Sequence, residues 1–176
     1  MNLLKILFLL LIKNVVSQDF SKPFEVDAYL GKWYQVYSNR YVQNTFEKGS
    51  RCVKAFYDIF EDGTLDIYYQ QINIDNTIDS TSGFGYIPNP NEPRKLKMLL
   101  NKRKEEDYWI YELGPMVDGK YRYSIVSNRY KTTLFVFARD VNDFFDNYNV
   151  SVLEKLRDFG FVRIWNRPLQ TLQNCY

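Results

Sequence analysis

Gly31-Lys32-Trp33-Tyr34-Gln35-Val36-Tyr37 is the stretch on which the fold turns. Its side chains read with a period of two, the pattern of a strand that buries one face. Counted from Trp33, Gln35 and Tyr37 share its face of the strand, while Lys32, Tyr34 and Val36 take the other.

Working outward, strand-like segments recur at regular spacing over 32–39, 52–60, 64–72, 77–87, 94–101, 108–113, 121–128 and 133–139. Glu61-Asp62-Gly63 joins the second to the third as a tight hairpin, because Asp-Gly tolerates the positive φ values such turns need. Pro88-Asn89-Pro90-Asn91-Glu92-Pro93 cannot donate ladder hydrogen bonds and is a loop. Eight strands with short connections predict an all-β fold, an eight-stranded antiparallel up-and-down β-barrel, rather than a βαβ fold. Tyr148, Val152, Leu156 and Phe159 recur at helical spacing, with Asp146 placed to cap the start and Gly160 to end it. They predict one C-terminal α-helix packed outside the barrel. A last short strand is expected over 161–165.

Before the first strand, Lys5 and the apolar run 6–12 precede Val15-Val16-Ser17, the pattern of a signal peptide over 1–17 cleaved before Gln18. The apolar run is about half the ~20 residues that span a bilayer. Residues 18–176 then form one domain, without repeats or low-complexity linkers. The leader holds Lys5 and Lys13 and no acid, so the 23 Lys and Arg of the whole chain fall to 21, equal to the 21 Asp and Glu. A near-neutral chain lacks the basic surface that binds nucleic acid.

The chain contains no histidine, which removes Ser-His-Asp and Cys-His catalysis. No cysteine and histidine cluster offers a metal site, and neither metal nor cofactor is expected. In an oxidising compartment the two cysteines, Cys52 and Cys175, suggest one bridge; two free thiols are the other reading. Asn149-Val150-Ser151 is the one N-glycosylation sequon.

Val26-Asp27-Ala28-Tyr29-Leu30-Gly31-Lys32-Trp33-Tyr34-Gln35-Val36, then Phe46-Glu47-Lys48-Gly49-Ser50-Arg51-Cys52-Val53, then Phe135-Val136-Phe137-Ala138-Arg139-Asp140 are the motifs that resemble a known family. Between them, Glu61 to Leu65, Asn91 to Lys97, Asp107 to Ile110 and Tyr123 to Val126 match further strand signatures in order. The chain resembles the lipocalins, most closely the apolipoprotein D-like and bacterial-type branches, from about Phe24 to Cys175. It departs from their usual second motif, Thr-Asp-Tyr, with a longer segment from Leu113 to Tyr121. The resemblance implies a calyx whose closed end is plugged by Trp33 with Arg139 packed over its ring. It also places the Cys52 and Cys175 pair as one of the two bridges typical of the apolipoprotein D-like branch.

Strand alternation then assigns the lining. Val53, Ala55, Tyr57 and Ile59 point inward, as do Leu65, Ile67 and Tyr69, Leu96, Met98 and Leu100, and Ser124 with Val126. Candidate ligand contacts are Tyr37, Ala55, Tyr57, Ile67, Tyr69, Met98, Leu100, Tyr108, Ile110, Val126, Phe135 and Phe137. An aromatic inward stripe is equally the ordinary signature of packed core. The resemblance implies a secreted carrier that transports a small hydrophobic ligand such as a fatty acid, sterol, retinoid or lysolipid, with membrane or receptor contact at the open end. Two alternatives stand beside it. One is a lipid-modifying enzyme using a free barrel thiol at Cys52. The other is a lumenal factor that binds haem or pigment or protects lipid, for which tyrosine is the available axial ligand.

Overall fold

In a computed structural model, residues 18–101 and 104–175 are described, so the expected leader over 1–17 lies outside the described residues. Nine strands form one sheet: β1 (Gly31–Asn39), β2 (Arg51–Ile59), β3 (Leu65–Ile72), β4 (Ile78–Tyr86), β5 (Lys95–Leu100), β6 (Glu106–Leu113), β9 (Tyr123–Ser127), β10 (Phe135–Ala138) and β11 (Pro168–Gln170). Around this sheet β1 to β6, then β9 and β10, follow one another in sequence order, and β10 pairs back on β1 through Tyr34 with Ala138 and Gln35 with Phe137. The eight expected strands therefore close into an antiparallel barrel. Between β6 and β9 the segment with the atypical motif folds as a small hairpin, β7 (Met116–Val117) and β8 (Lys120–Tyr121). Asp118 and Gly119 both take positive φ at its tip, the geometry that turns a two-residue hairpin.

Two apolar cores share the barrel wall. The inner one fills the closed half with Tyr29, Trp33, Ala55, Tyr57, Ile67 and Phe137 among others. The outer one lies between the barrel and a helical segment, where Phe144, Val152 and Leu156 cover Val36, Ile125 and Val136. After two short helices, α1 (Val26–Tyr29) and α2 (Arg40–Thr45), that segment is α3, which runs from Val141–Asp143 through a π-helical turn, Phe144–Tyr148, into Asn149–Asp158. A Lys155–Glu112 ion pair at 3.0 Å ties it to β6.

The helix starts earlier than the periodicity of the sequence suggested. Asp140, not Asp146, is the cap, accepting from the Asp143 amide at 2.9 Å. The π turn inserts an extra residue and shifts the 3.6-residue phase, which hides the first turns from a periodicity reading. Gly160 ends the segment with φ +87.

The strand expected over 161–165 is a turn instead: the Arg163 amide donates to the Asn166 side chain at 2.9 Å, while Val162 and Ile164 stay exposed. The last strand comes later, as β11, where β1 has parted from β2. β2 pairs with β1 over Gly31 to Tyr34, and β11 takes over at Tyr37 to Asn39. The tail seals the gap: the Gln173 side-chain amide donates to Gln35 and Val53 carbonyls, both at 2.8 Å. Cys175 is bonded to Cys52 across 123 residues, so one bridge is present and the free-thiol reading falls.

Candidate ligand cavity

The closed end is built around Trp33, which is fully buried. Its indole donates to the Tyr29 carbonyl at 2.8 Å, and the Arg139 guanidinium lies 3.8 Å from the ring centroid. Arg139 also donates to the carbonyls of Lys32 (2.7 Å), Ala28 (3.0 Å), Tyr29 (2.9 Å), Leu30 (2.9 Å) and Tyr121 (3.3 Å). Burial lowers its pKa to about 10, which leaves it charged at neutral pH. One cation thus staples the short helix α1 (Val26–Tyr29), the start of β1 and the end of β8 over the indole.

Above that floor the barrel holds a cavity of about 800 Å³ that opens at the other end. Its size suits one small lipophilic molecule. Of the twelve expected ligand contacts, Tyr69, Met98, Leu100, Tyr108 and Phe135 line it. Ala55, Tyr57, Ile67, Ile110, Val126 and Phe137 point inward as expected but lie in the packed core. Depth along the strand separates wall from core.

Tyr37 is the exception. The ladder between β1 and β10 slips between Gln35 and Tyr37, and this bulge puts Val36 and Tyr37 together on the outer face. There Tyr37 packs under α3 and donates to the Asn149 side chain at 2.9 Å. It is removed from the cavity, and the sequon asparagine is engaged in that contact. Ile59, expected inward, is 40% exposed at the closed rim.

Two polar features of the interior arise from residues distant in sequence. First, hydroxyls join in a chain: Tyr69 to Tyr57 (2.8 Å), Tyr57 to Tyr108 (2.8 Å), Tyr108 to Tyr29 (2.7 Å) and Tyr29 to Ser124 (3.2 Å). Burial pushes all four phenols upward in pKa, so they remain neutral donors and acceptors. Five hydroxyls supply five hydrogens to four bonds. One hydrogen is therefore spare in the chain, and Tyr69 presents one of its ends to the cavity.

Second, Glu47 sits in the cavity wall with only 4% of its surface exposed. It accepts from the Gln35 side-chain amide at 2.7 Å and from the Ser38 hydroxyl at 3.0 Å. Gln35 donates also to Thr171 at 2.9 Å, and its buried Oε1 has no partner among the described residues. Burial raises the Glu47 pKa to about 7. No Lys or Arg lies within 4 Å of this carboxylate among the described residues. Sequence reading treated Glu47 only as part of a motif. An acid followed by Lys48 in a loop carries no sign that it will fold inward.

The model of the Lipocalin-like domain matches residues 24–169. Apolipoprotein D of Macaca fascicularis is 33% identical over 154 residues, covering 87% of this chain and 67% of that protein. Apolipoprotein D of Bos taurus is 36% identical over 115 residues, covering 65% of this chain and 51% of that protein. The chain thus matches between half and two thirds of these relatives' own length. Lobster apocrustacyanin A1 superposes with a TM-score of 0.62 at 21% identity, over 85% of this chain and 79% of that one. The closed eight-stranded barrel, its tryptophan-arginine floor and the match along nearly the whole described chain agree, and the chain belongs to the lipocalin family.

Proposed function

We propose that this protein is a carrier, not an enzyme, that holds one small lipophilic molecule in the open half of its barrel. The observation that supports this most is the cavity of about 800 Å³ walled by Met98, Leu100, Phe135, Tyr69 and Tyr108. Apolar surface leaving water drives such binding at about 25 cal/mol per Å², before the cost of ordering the ligand. A fatty acid, sterol, retinoid or lysolipid tail fits both the size and the lining. The enzymatic alternative needs a thiol, and both cysteines are in the disulfide. The bridge and the leader pattern support passage through the secretory route. At the mouth, Phe46 is 41% and Ile74 is 74% exposed, which supports contact of the open end with a membrane or receptor.

Native mass spectrometry of protein from its own source should show one co-purifying molecule per chain. A fluorescent fatty-acid or retinoid probe should bind the wild type and be lost from Leu100→Trp, which fills the cavity from a half-buried wall position. Probe binding that survives this substitution in a folded protein would place the ligand outside the barrel.

A further inference from the structure

We propose that the cavity prefers an amphiphile with a protonated amine head, which pairs with Glu47 while the apolar tail lies against Met98, Leu100 and Phe135. This rests on the carrier reading and deepens it by naming the head group. Three observations carry it. The Glu47 carboxylate is buried in the cavity wall, and no described cation neutralises it. A buried charge of that kind costs free energy until a counter-charge arrives.

The neighbouring Gln35 is fully buried in the same wall, and its Oε1 accepts no hydrogen bond from any described residue. Both unmet requirements are for donors. An ammonium brings a positive charge and three N–H donors in a compact group. Third, the rings of Tyr69, Tyr108 and Phe135 line the same space, and aromatic faces attract a desolvated cation. A carboxylate head would instead face Glu47 as a like charge, and a hydroxyl head would bring one donor and no charge. Lys48 and Lys104 also line the cavity. Both are exposed at the mouth and belong to its rim, where they would hold a carboxylate in the opposite orientation.

The test holds the tail constant and changes the head. Dodecylamine, 1-dodecanol and dodecanoate are titrated at pH 8 against the purified protein by displacement of the neutral dye Nile red. Dodecylamine should bind at least about tenfold more tightly than dodecanol, with dodecanoate the weakest of the three. In Glu47→Gln, dodecylamine and dodecanol should come within about threefold of each other, each referred to that variant's own Nile red affinity. Glu106→Gln, at the exposed rim, should keep the wild-type order. If circular dichroism shows Glu47→Gln unfolded, Glu47→Met removes the same charge with an apolar side chain of similar length. The proposal is overturned if dodecylamine binds no better than dodecanol in the wild type. It is overturned equally if the order survives a folded Glu47 variant, or if dodecanoate binds best. Failure of Nile red and all three amphiphiles to bind would overturn the carrier reading itself.

Discussion

Removing Trp33 tests the closed end directly, because one side chain there joins three kinds of interaction. Trp33→Ala deletes a fully buried indole, its bond to the Tyr29 carbonyl at 2.8 Å and the ring beneath Arg139 at 3.8 Å. Large-to-small replacement of a buried aromatic costs about 3–5 kcal/mol, since the lost transfer energy adds to the cavity left behind. The desolvated cation–π contact contributes about 2 kcal/mol within that loss. Arg139→Met keeps the aliphatic stem but removes the donors to five backbone carbonyls. It should cost a similar amount, because hydrogen bonds to a charged group are worth more than neutral ones.

The double variant should lose about 1–2 kcal/mol less than the sum of the two, the signature of residues in contact. Urea unfolding followed by far-ultraviolet circular dichroism at constant m-value measures all three. Against a total stability of about 5–15 kcal/mol, each single variant should remain measurable. Ligand affinity of the folded fraction should not change, since Trp33 and Arg139 lie outside the cavity lining. A Trp33→Ala loss below about 1 kcal/mol, or strict additivity, would refute the plug and the inward anchoring derived from it.

Further outcomes follow from the same geometry. Opening the Cys52–Cys175 bridge by replacing both residues with alanine should cost roughly 4–5 kcal/mol on the chain-entropy model, because it closes a separation of 123 residues; an unchanged denaturation midpoint would contradict that. The raised pKa of Glu47 means that the folded state holds its proton more tightly than the unfolded chain. Its contribution is therefore fully present below about pH 4.5 and is lost as pH rises through about 7, by roughly 3 kcal/mol in all. Stability measured from pH 5 to 8 should fall in the wild type and flatten in Glu47→Gln, and equal slopes would count against a buried carboxyl. Val126→Glu places a charge in fully buried core and should unfold the protein, whereas Leu100→Glu at the half-buried cavity wall should fold and lose lipophile binding. Circular dichroism with a probe titration separates the two, and a folded, binding-competent Val126→Glu would mean that the core lies elsewhere.

The alternation set by Trp33 is a local property, so most of the architecture was legible in sequence. Side chains on a pleated strand must alternate, and turn residues such as Asp62-Gly63 end strands by their own backbone preferences. That much determined the eight strands, their inward faces and the place of Trp33 and Arg139 by family resemblance. Interruptions of a local rule were not legible. The bulge that turns Tyr37 outward depends on how β10 meets β1, and the π turn in α3 depends on how Phe144 fits the outer wall.

The C-terminal strand was likewise decided in three dimensions. Residues 161–165 carry strand-like composition but fold as a turn, whereas Pro168–Gln170 pairs with the part of β1 that β2 has left. Sequence also could not divide wall from core, because Tyr57 and Tyr69 share a face and differ only in height along the barrel. Least legible of all was Glu47. Its burial, its bonds to Gln35 and Ser38 and its position in the cavity wall come from residues that only the closed barrel and the returning tail bring together. Sequence determined which residues face inward wherever the alternation runs unbroken, since that is set residue by residue along each strand. Tertiary structure decided which inward residues meet a ligand, since that depends on where packing stops filling the space.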